Sequence, residues 1–304
     1  MIKGFYKITS NGEFIAEYEN MITANGLQAI NQYLCGMITD WAGSIAIGNL
    51  STNATASSTQ FLDYEYLRFP TTLKAYFSAS SSNKIALKTS LDPSLSFQAY
   101  ELGIFPSMVS IGKIDHFEIS NFSGISNGSS TWYTSSATPA TTASSARTDT
   151  LTVRLSAGQS ASTALPSSLS TYNLNDRVDI LYYTASAILS TSSITVTFID
   201  DSASANKWTA STTIPATASG TYATSRLLFT SSPPDAFTFN TASCVVTFLG
   251  SGTLLLDHMK ISTGDIKYLN SILTSRIVSS SSSVPLMTKT YGQPMEIEYY
   301  IQVT

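Results

Sequence analysis

The sequence predicts an all-β protein: a β-rich framework with one short helix, carrying an inserted antiparallel β-sandwich or jelly roll. Three observations predict it. Charged residues make up 12% of the 304 residues while hydrophobic residues stand at 43%. That charge is about half the usual share of a globular chain, so neutral Ser and Thr cover the surface. Aromatics reach 11%, more than a disordered chain carries. Short runs rich in Val, Ile, Leu, Phe, Tyr and Thr recur between Ser, Gly and Pro, the pattern of sandwiches rather than of a parallel sheet.

The chain opens as a hairpin. Residues 4–9 and 13–18 are aromatic and β-branched runs joined through Ser10-Asn11-Gly12, and Asn-Gly tolerates the positive φ of a tight hairpin turn. A helix follows over residues 24–37, where Leu27, Ile30, Tyr33 and Leu34 recur at helical spacing behind Thr23 as N-cap. Strands are predicted at 44–47, 61–70, 72–77 and 84–88, and again over 94–105, where Leu95, Phe97, Tyr100, Leu102 and Ile104 carry the apolar pattern. Residues 119–146 hold no charge and are of low complexity, interrupted by Trp132 and Tyr133. Strands resume at 150–155, 177–184, 193–199, 226–230, 236–240, 244–249 and 253–261. Residues 295–303 form a last strand with charge at alternate positions, closer in character to the N-terminal region than to the middle. These shifts predict a discontinuous framework domain, 1–109 with 263–304, and a sandwich of residues 110–262 inserted at a loop tip.

Several function classes are disfavoured. The net charge is −4 without a basic cluster, which leaves nucleic acid no electrostatic footprint. No run approaches eighteen apolar residues, so no membrane span is expected. The start lacks an apolar signal core, so synthesis in the cytoplasm without a cleaved leader is expected. Cys35 and Cys244 read as buried thiols rather than as a disulfide framework or a zinc site. His116 and His258 lie in no nucleophile elbow; they fit a structural pair on neighbouring first and last strands of the sandwich. Asp176, Asp179, Asp200 and Asp201 are the carboxylates a glycoside hydrolase would draw on, at separations of ~5–5.5 or ~6.5–9.5 Å. Asp200-Asp201 ends a strand and reads as a turn. The expectation is a protein without catalytic chemistry.

Four short motifs stand in order: Asn20-Met21-Ile22-Thr23-Ala24-Asn25-Gly26-Leu27-Gln28-Ala29-Ile30; Ile45-Ala46-Ile47-Gly48, followed by a small-residue polar stretch; Leu62-Asp63-Tyr64-Glu65-Tyr66-Leu67-Arg68; and Glu101-Leu102-Gly103-Ile104-Phe105. This set resembles the small structural proteins of tailed bacteriophages. The resemblance implies a virion component of the tail, collar or capsid surface, with other virion proteins and copies of itself as partners. By analogy with phage appendages, the homo-oligomer is expected to be a trimer.

Residues 114–262 resemble the galactose-binding-like superfamily of jelly-roll carbohydrate-binding modules. The resemblance rests on Trp132, the run from Tyr172 to Tyr183, the strand 194–200 with Trp208 and Thr209 behind it, and Leu254-Leu255-Leu256-Asp257-His258-Met259-Lys260-Ile261. It implies a jelly roll displayed for contact with a host-surface polysaccharide, and a structural Ca²⁺ near Asp115 and Asp257 as the one candidate cofactor. Trp132, Tyr133, Trp208 and Tyr222 are the candidate rings for sugar stacking, because an exposed ring covers the apolar face of a sugar at low entropic cost. The competing reading places these rings in the sandwich core or a subunit interface. The alternative function is a secreted or surface carbohydrate-binding protein without catalysis.

Overall fold

The structure, a computed structural model, describes residues 2–51, 59, 62–79, 82–106, 114–117, 133–134, 141–142, 146–148, 152–165, 172–203, 205–262 and 273–303. The chain divides into two compact units, Met1–Ser110 with Tyr268–Thr304, and Ile111–Lys267.

The first unit contains β1 (Ile2–Ser10), β2 (Glu13–Ile22), α1 (Ala24–Leu34), β3 (Ser44–Gly48), β4 (Glu65–Pro70), β5 (Leu73–Ala79), β6 (Ser82–Leu91), β7 (Phe97–Ala99) and β8 (Glu101–Phe105). The second contains β9 (Ile114–Phe117), β10 (Tyr133–Thr134), β11 (Thr141–Thr142), β12 (Thr152–Ser156), β13 (Gln159–Ala164), β14 (Arg177–Ser186), β15 (Ser192–Asp200), β16 (Lys207–Ile214), β17 (Tyr222–Leu228), β18 (Ala242–Leu249) and β19 (Thr253–Ser262). The chain returns to the first unit with β20 (Ser275–Val278), β21 (Met287–Lys289) and β22 (Met295–Val303).

The first unit is built on a nine-stranded sheet in the order β4-β3-β8-β20-β2-β1-β22-β6-β5, with β21 and β7 as a separate pair. Its opening hairpin turns at Asn11 and Gly12, whose φ angles are 51° and 81°. The strand β22 lies between β1 and β6. Its alternation is explained by its two faces. Ile297 and Tyr299 join Tyr6, Ile8 and Leu87 in the buried core, while Glu296 and Glu298 share the other face with Lys7 and Lys88. On that outer face Phe5 stacks on Tyr300 at 4.9 Å, and the Lys84 ammonium lies 4.3 Å above the Tyr300 ring.

The helix ends three residues earlier than its apolar pattern, and that pattern does not face the core. Leu27, Tyr33 and Leu34 are exposed. The helix docks instead through Gly26, where any Cβ would collide with the Thr274 carbonyl. Thr23 caps it, accepting from the Gly26 N–H at 3.0 Å and donating to the Leu273 carbonyl at 2.6 Å.

Two of the four ordered motifs, 62–68 and 101–105, meet in one buried cluster with Arg276. The Glu101 carboxylate accepts from Asp63 N (2.9 Å), Tyr64 N (3.2 Å) and the Arg276 guanidinium (2.6 Å), and Arg276 also reaches Asp63 at 3.1 Å. Burial pushes the Glu101 carboxyl up to about 7, against the downward pull of Arg276. Glu65 and Arg68 form a bidentate pair, both bonds 2.7 Å, beneath which lies the Phe105 ring. Gly103 is required by space, since a Cβ there would lie 2.7 Å from Leu273. These residues fasten a loop and two strands to the sheet; their role in this unit is structural.

The second unit is a β-sandwich. One sheet has the order β10-β13-β18-β15-β16; the other runs β11-β12-β19-β14-β17, with β9 also paired to β19. The inward faces meet over Val153, Ile180, Phe198, Trp208, Val246 and Phe248. Two strands here, β13 and β16, carry alternation in Ser, Ala and Thr and are invisible to an apolar pattern. The segment 236–240, expected as a strand, is a turn with Ala236 at φ 58° followed by one 3-10 turn. Among the described residues no helix is long and apolar enough to cross a membrane.

Candidate ligand-binding site

The outward face of the β14–β17 pair carries the richest constellation. Antiparallel pairing sets Asp179 opposite Arg226, Leu181 opposite Thr224 and Tyr183 opposite Tyr222. Side chains two residues apart share a face, so these six form one strip along β17, the end strand of its sheet. Val178, Ile180 and Tyr182 point into the core and are buried.

At one end, Tyr183 and Tyr222 pack with ring centroids 4.9 Å apart and planes tilted by 54°. Both are half-buried, so ring surface remains open. The Arg147 guanidinium lies 3.6 Å from the centre of the Tyr222 ring. Asp257 fastens the backbone at that arginine. It is the extra residue of a bulge in β19, because Leu181 pairs with His258 and Tyr182 with Leu256; a bulge re-aims a side chain. Its carboxylate accepts from Arg147 N (2.8 Å), Thr148 N (3.2 Å) and Thr148 Oγ1 (3.1 Å). Burial pushes the Asp257 carboxyl up to about 7, and these hydrogen bonds pull against it. Thr184 fixes the start of β17, donating to the Ala218 carbonyl (2.7 Å) and accepting from Thr221 N (3.1 Å). Gly220 makes the turn there at φ 78°.

At the other end, Arg226 Nε meets Asp179 Oδ1 at 2.8 Å and Arg177 Nε meets Oδ2 at 3.2 Å. Burial raises the Asp179 carboxyl, but Lys260, Arg177 and Arg226 together outweigh it and hold the group below its ordinary range. Tyr183, Tyr222 and Thr224 are half-buried and Arg226 is exposed, whereas Arg147, Leu181 and Asp179 are buried, so the accessible part of the strip is two ring edges, a hydroxyl and a guanidinium.

The sequence-predicted site residues are scattered over different environments. Trp208 is a core residue, 1% exposed, stacked 3.5 Å from Phe229 with its Nε1 donating to the Ser231 carbonyl at 2.8 Å. It begins the inward alternation of β16 with Ala210 and Ile214, which corrects its expected place as an exposed stacking ring. Tyr222 is on the strip. Tyr133 lies on β10 opposite Ser162, and Trp132 falls outside the described residues. Asp115 is opposite Ile261 on the β9–β19 pair. The Asp257 oxygens, expected near a Ca²⁺, accept from N–H and O–H donors of Arg147 and Thr148. Among the described residues no group of three or more His, Cys, Asp or Glu could hold a metal. The pairing sets His116 opposite Lys260, so the two histidines lie on adjacent strands. Burial and then Lys260 hold His258 well below its ordinary pKa.

Asp200 binds Ser202 and Thr238 and is a turn residue, and Asp176 accepts from Asn173 N at 2.6 Å. Cys244 is buried, but Cys35, expected as a buried thiol, is exposed. Sequence reasoning passed over Arg147 and Tyr183. The first charge after the uncharged stretch and the outward parity of β14 were the signals available.

No family model matches this sequence, and no curated protein does. Similar solved structures are carbohydrate-binding modules. The xylan-binding module CBM15 is 14% identical with a TM-score of 0.30, over 50% of this chain and 96% of that one. The CBM22-1 xylan-binding domain of Paenibacillus barcinonensis Xyn10C is 10% identical with a TM-score of 0.34, over 51% and 97%. A family 30 carbohydrate-binding module is 11% identical with a TM-score of 0.33, over 49% and 98%.

Proposed function

We propose that this chain is a non-catalytic structural protein of a tailed-phage virion, whose first unit is the framework and whose second unit holds a saccharide on the β14–β17 strip. The observation that carries the saccharide reading is the Tyr183–Tyr222 pair, half-open on an end strand, with the buried Arg147 guanidinium against the Tyr222 ring. A sugar presents an apolar C–H face and a rim of hydroxyls. The rings supply the first contact, and the partly open Thr224 and the exposed Arg226 supply polar groups for the second. Two rings already fixed against each other lose little freedom on binding. The virion assignment rests on the four ordered motifs, two of which, 62–68 and 101–105, meet in a buried structural cluster.

The test is titration of the full chain with host-surface polysaccharides. Tyr222→Ala should cost ~1–3 kcal/mol of binding, by analogy with the loss of a stacking ring from single-stranded nucleic-acid sites. That is roughly tenfold or more in affinity, measured below the melting transition, which loss of the Arg147–Tyr222 contact lowers. Absence of the chain from purified particles overturns the virion assignment independently of that result.

A further inference from the structure

We propose that β5 is an assembly edge, along which a second copy of this chain adds its own β5 antiparallel across a two-fold axis. An edge strand presents unpaired N–H and C=O groups, and natural proteins guard such edges with charge, proline or bulges. The nine-stranded sheet guards its other free backbone. Its far edge, β4, carries the Glu65–Arg68 pair and ends at Pro70. The part of β2 beyond its pairing with β20 carries exposed Glu13, Glu17 and Glu19 and faces a register shift in β1.

Among the described residues the β5 edge has no proline and no bulge. Its one charge, Lys74, is tied to Asp40. Its large residues are open: Leu73 is 49% exposed, Tyr76 64% and Phe77 54%, beside Ile85 of β6. An outermost strand here exposes three large apolar side chains.

The strand is also self-complementary. A two-fold axis through Ala75 sets Leu73 opposite Phe77 of the other copy, Lys74 opposite Tyr76, and Ala75 opposite Ala75. No like charges meet, and bulky side chains flank a small one at the axis, the arrangement that favours cross-strand packing. With Leu73, Ile85 and the strand backbone added to the two rings, the contact covers on the order of 1,000 Å². That lies near the lower bound for a specific interface and predicts a concentration-dependent dimer. This contact is two-fold, in place of the trimer expected by analogy.

Sedimentation velocity of the full chain over a micromolar dilution series should resolve a monomer–dimer equilibrium. Tyr76→Lys and Phe77→Asp place charge on solvent-exposed positions, so the dimer should be lost with melting unchanged at concentrations where the parent is monomeric. In a Cys35→Ser background, Ala75→Cys should give a covalent dimer on mild oxidation, since directly opposed residues hold their Cβ atoms ~4.5–5.5 Å apart. Ser90→Cys, exposed on β6, should give none. A chain that stays monomeric throughout the series, an assembly that survives both charged variants, or a dimer that Ala75→Cys fails to cross-link overturns the proposal.

Discussion

Trp208 and Tyr222 both lie in Ser/Thr-rich stretches, and the parity of their strands separates them. Trp208 faces inward with Ala210 and Ile214, while Tyr222 faces outward with Thr224 and Arg226. Trp208→Ala should therefore destabilise the second unit by ~3–5 kcal/mol, the usual cost of deleting a core Trp, read as melting lowered by roughly ten degrees. Asp257 adds a pH dependence with a definite sign. Its carboxyl titrates at about 7 in the fold, against ~3.9 in an unfolded chain. The folded state then binds more protons than the unfolded one between those values, so stability falls as pH rises from about 4 to 7 and levels above. Glu101, at about 7, acts in the same direction in the first unit. Asp257→Asn should flatten the second unit's melting temperature between pH 5 and 8; an unchanged slope contradicts the assignment. Residue identity could not reveal Asp257's role, because a bulge is a property of pairing, and the donors of Arg147 and Thr148 lie far away in sequence.

Strands rich in Val, Ile and aromatics were legible, as β14, β15, β18, β19 and β22 illustrate, because their inward residues differ sharply from their outward ones. The strands β13 and β16 were not legible: Ser, Thr and Ala fit either face, so the period of two carries no contrast. For α1 the cap was readable and the packing was not. The apolar stripe pointed to a buried side, but close approach at Gly26 decided which side docks. Thr23 serves both the helix and the Leu273 carbonyl. Thr23→Ala should thus cost at least the ~1 kcal/mol typical of a lost cap, measured by denaturant unfolding. A change within a few tenths would show the cap to be dispensable.

The whole chain encloses one sandwich between two segments of a single nine-stranded sheet, and β22 must find β1 and β6 after the entire second unit has been made. A stable framework sheet does not need the sandwich for its own backbone pairing. Replacing residues 111–267 with a short Gly/Ser bridge should leave a remnant that melts cooperatively and keeps a strand-rich circular dichroism spectrum. An insoluble or molten remnant contradicts this. The functional part of the whole was less legible than the fold. The framework motifs proved to be packing residues, and the strip joins residues from β14, β17 and the loop at Arg147 that only pairing brings together.

The central claim is that this strip holds a saccharide through Tyr183 and Tyr222. Calorimetric titration of the full chain and of Tyr222→Ala with the same host polysaccharide tests it most directly. Saturable binding by the parent and an affinity at least roughly tenfold weaker in the variant are expected, both measured at a temperature where circular dichroism shows each chain folded. Equal affinities for the two chains, or no binding by the parent to any host polysaccharide, would contradict it.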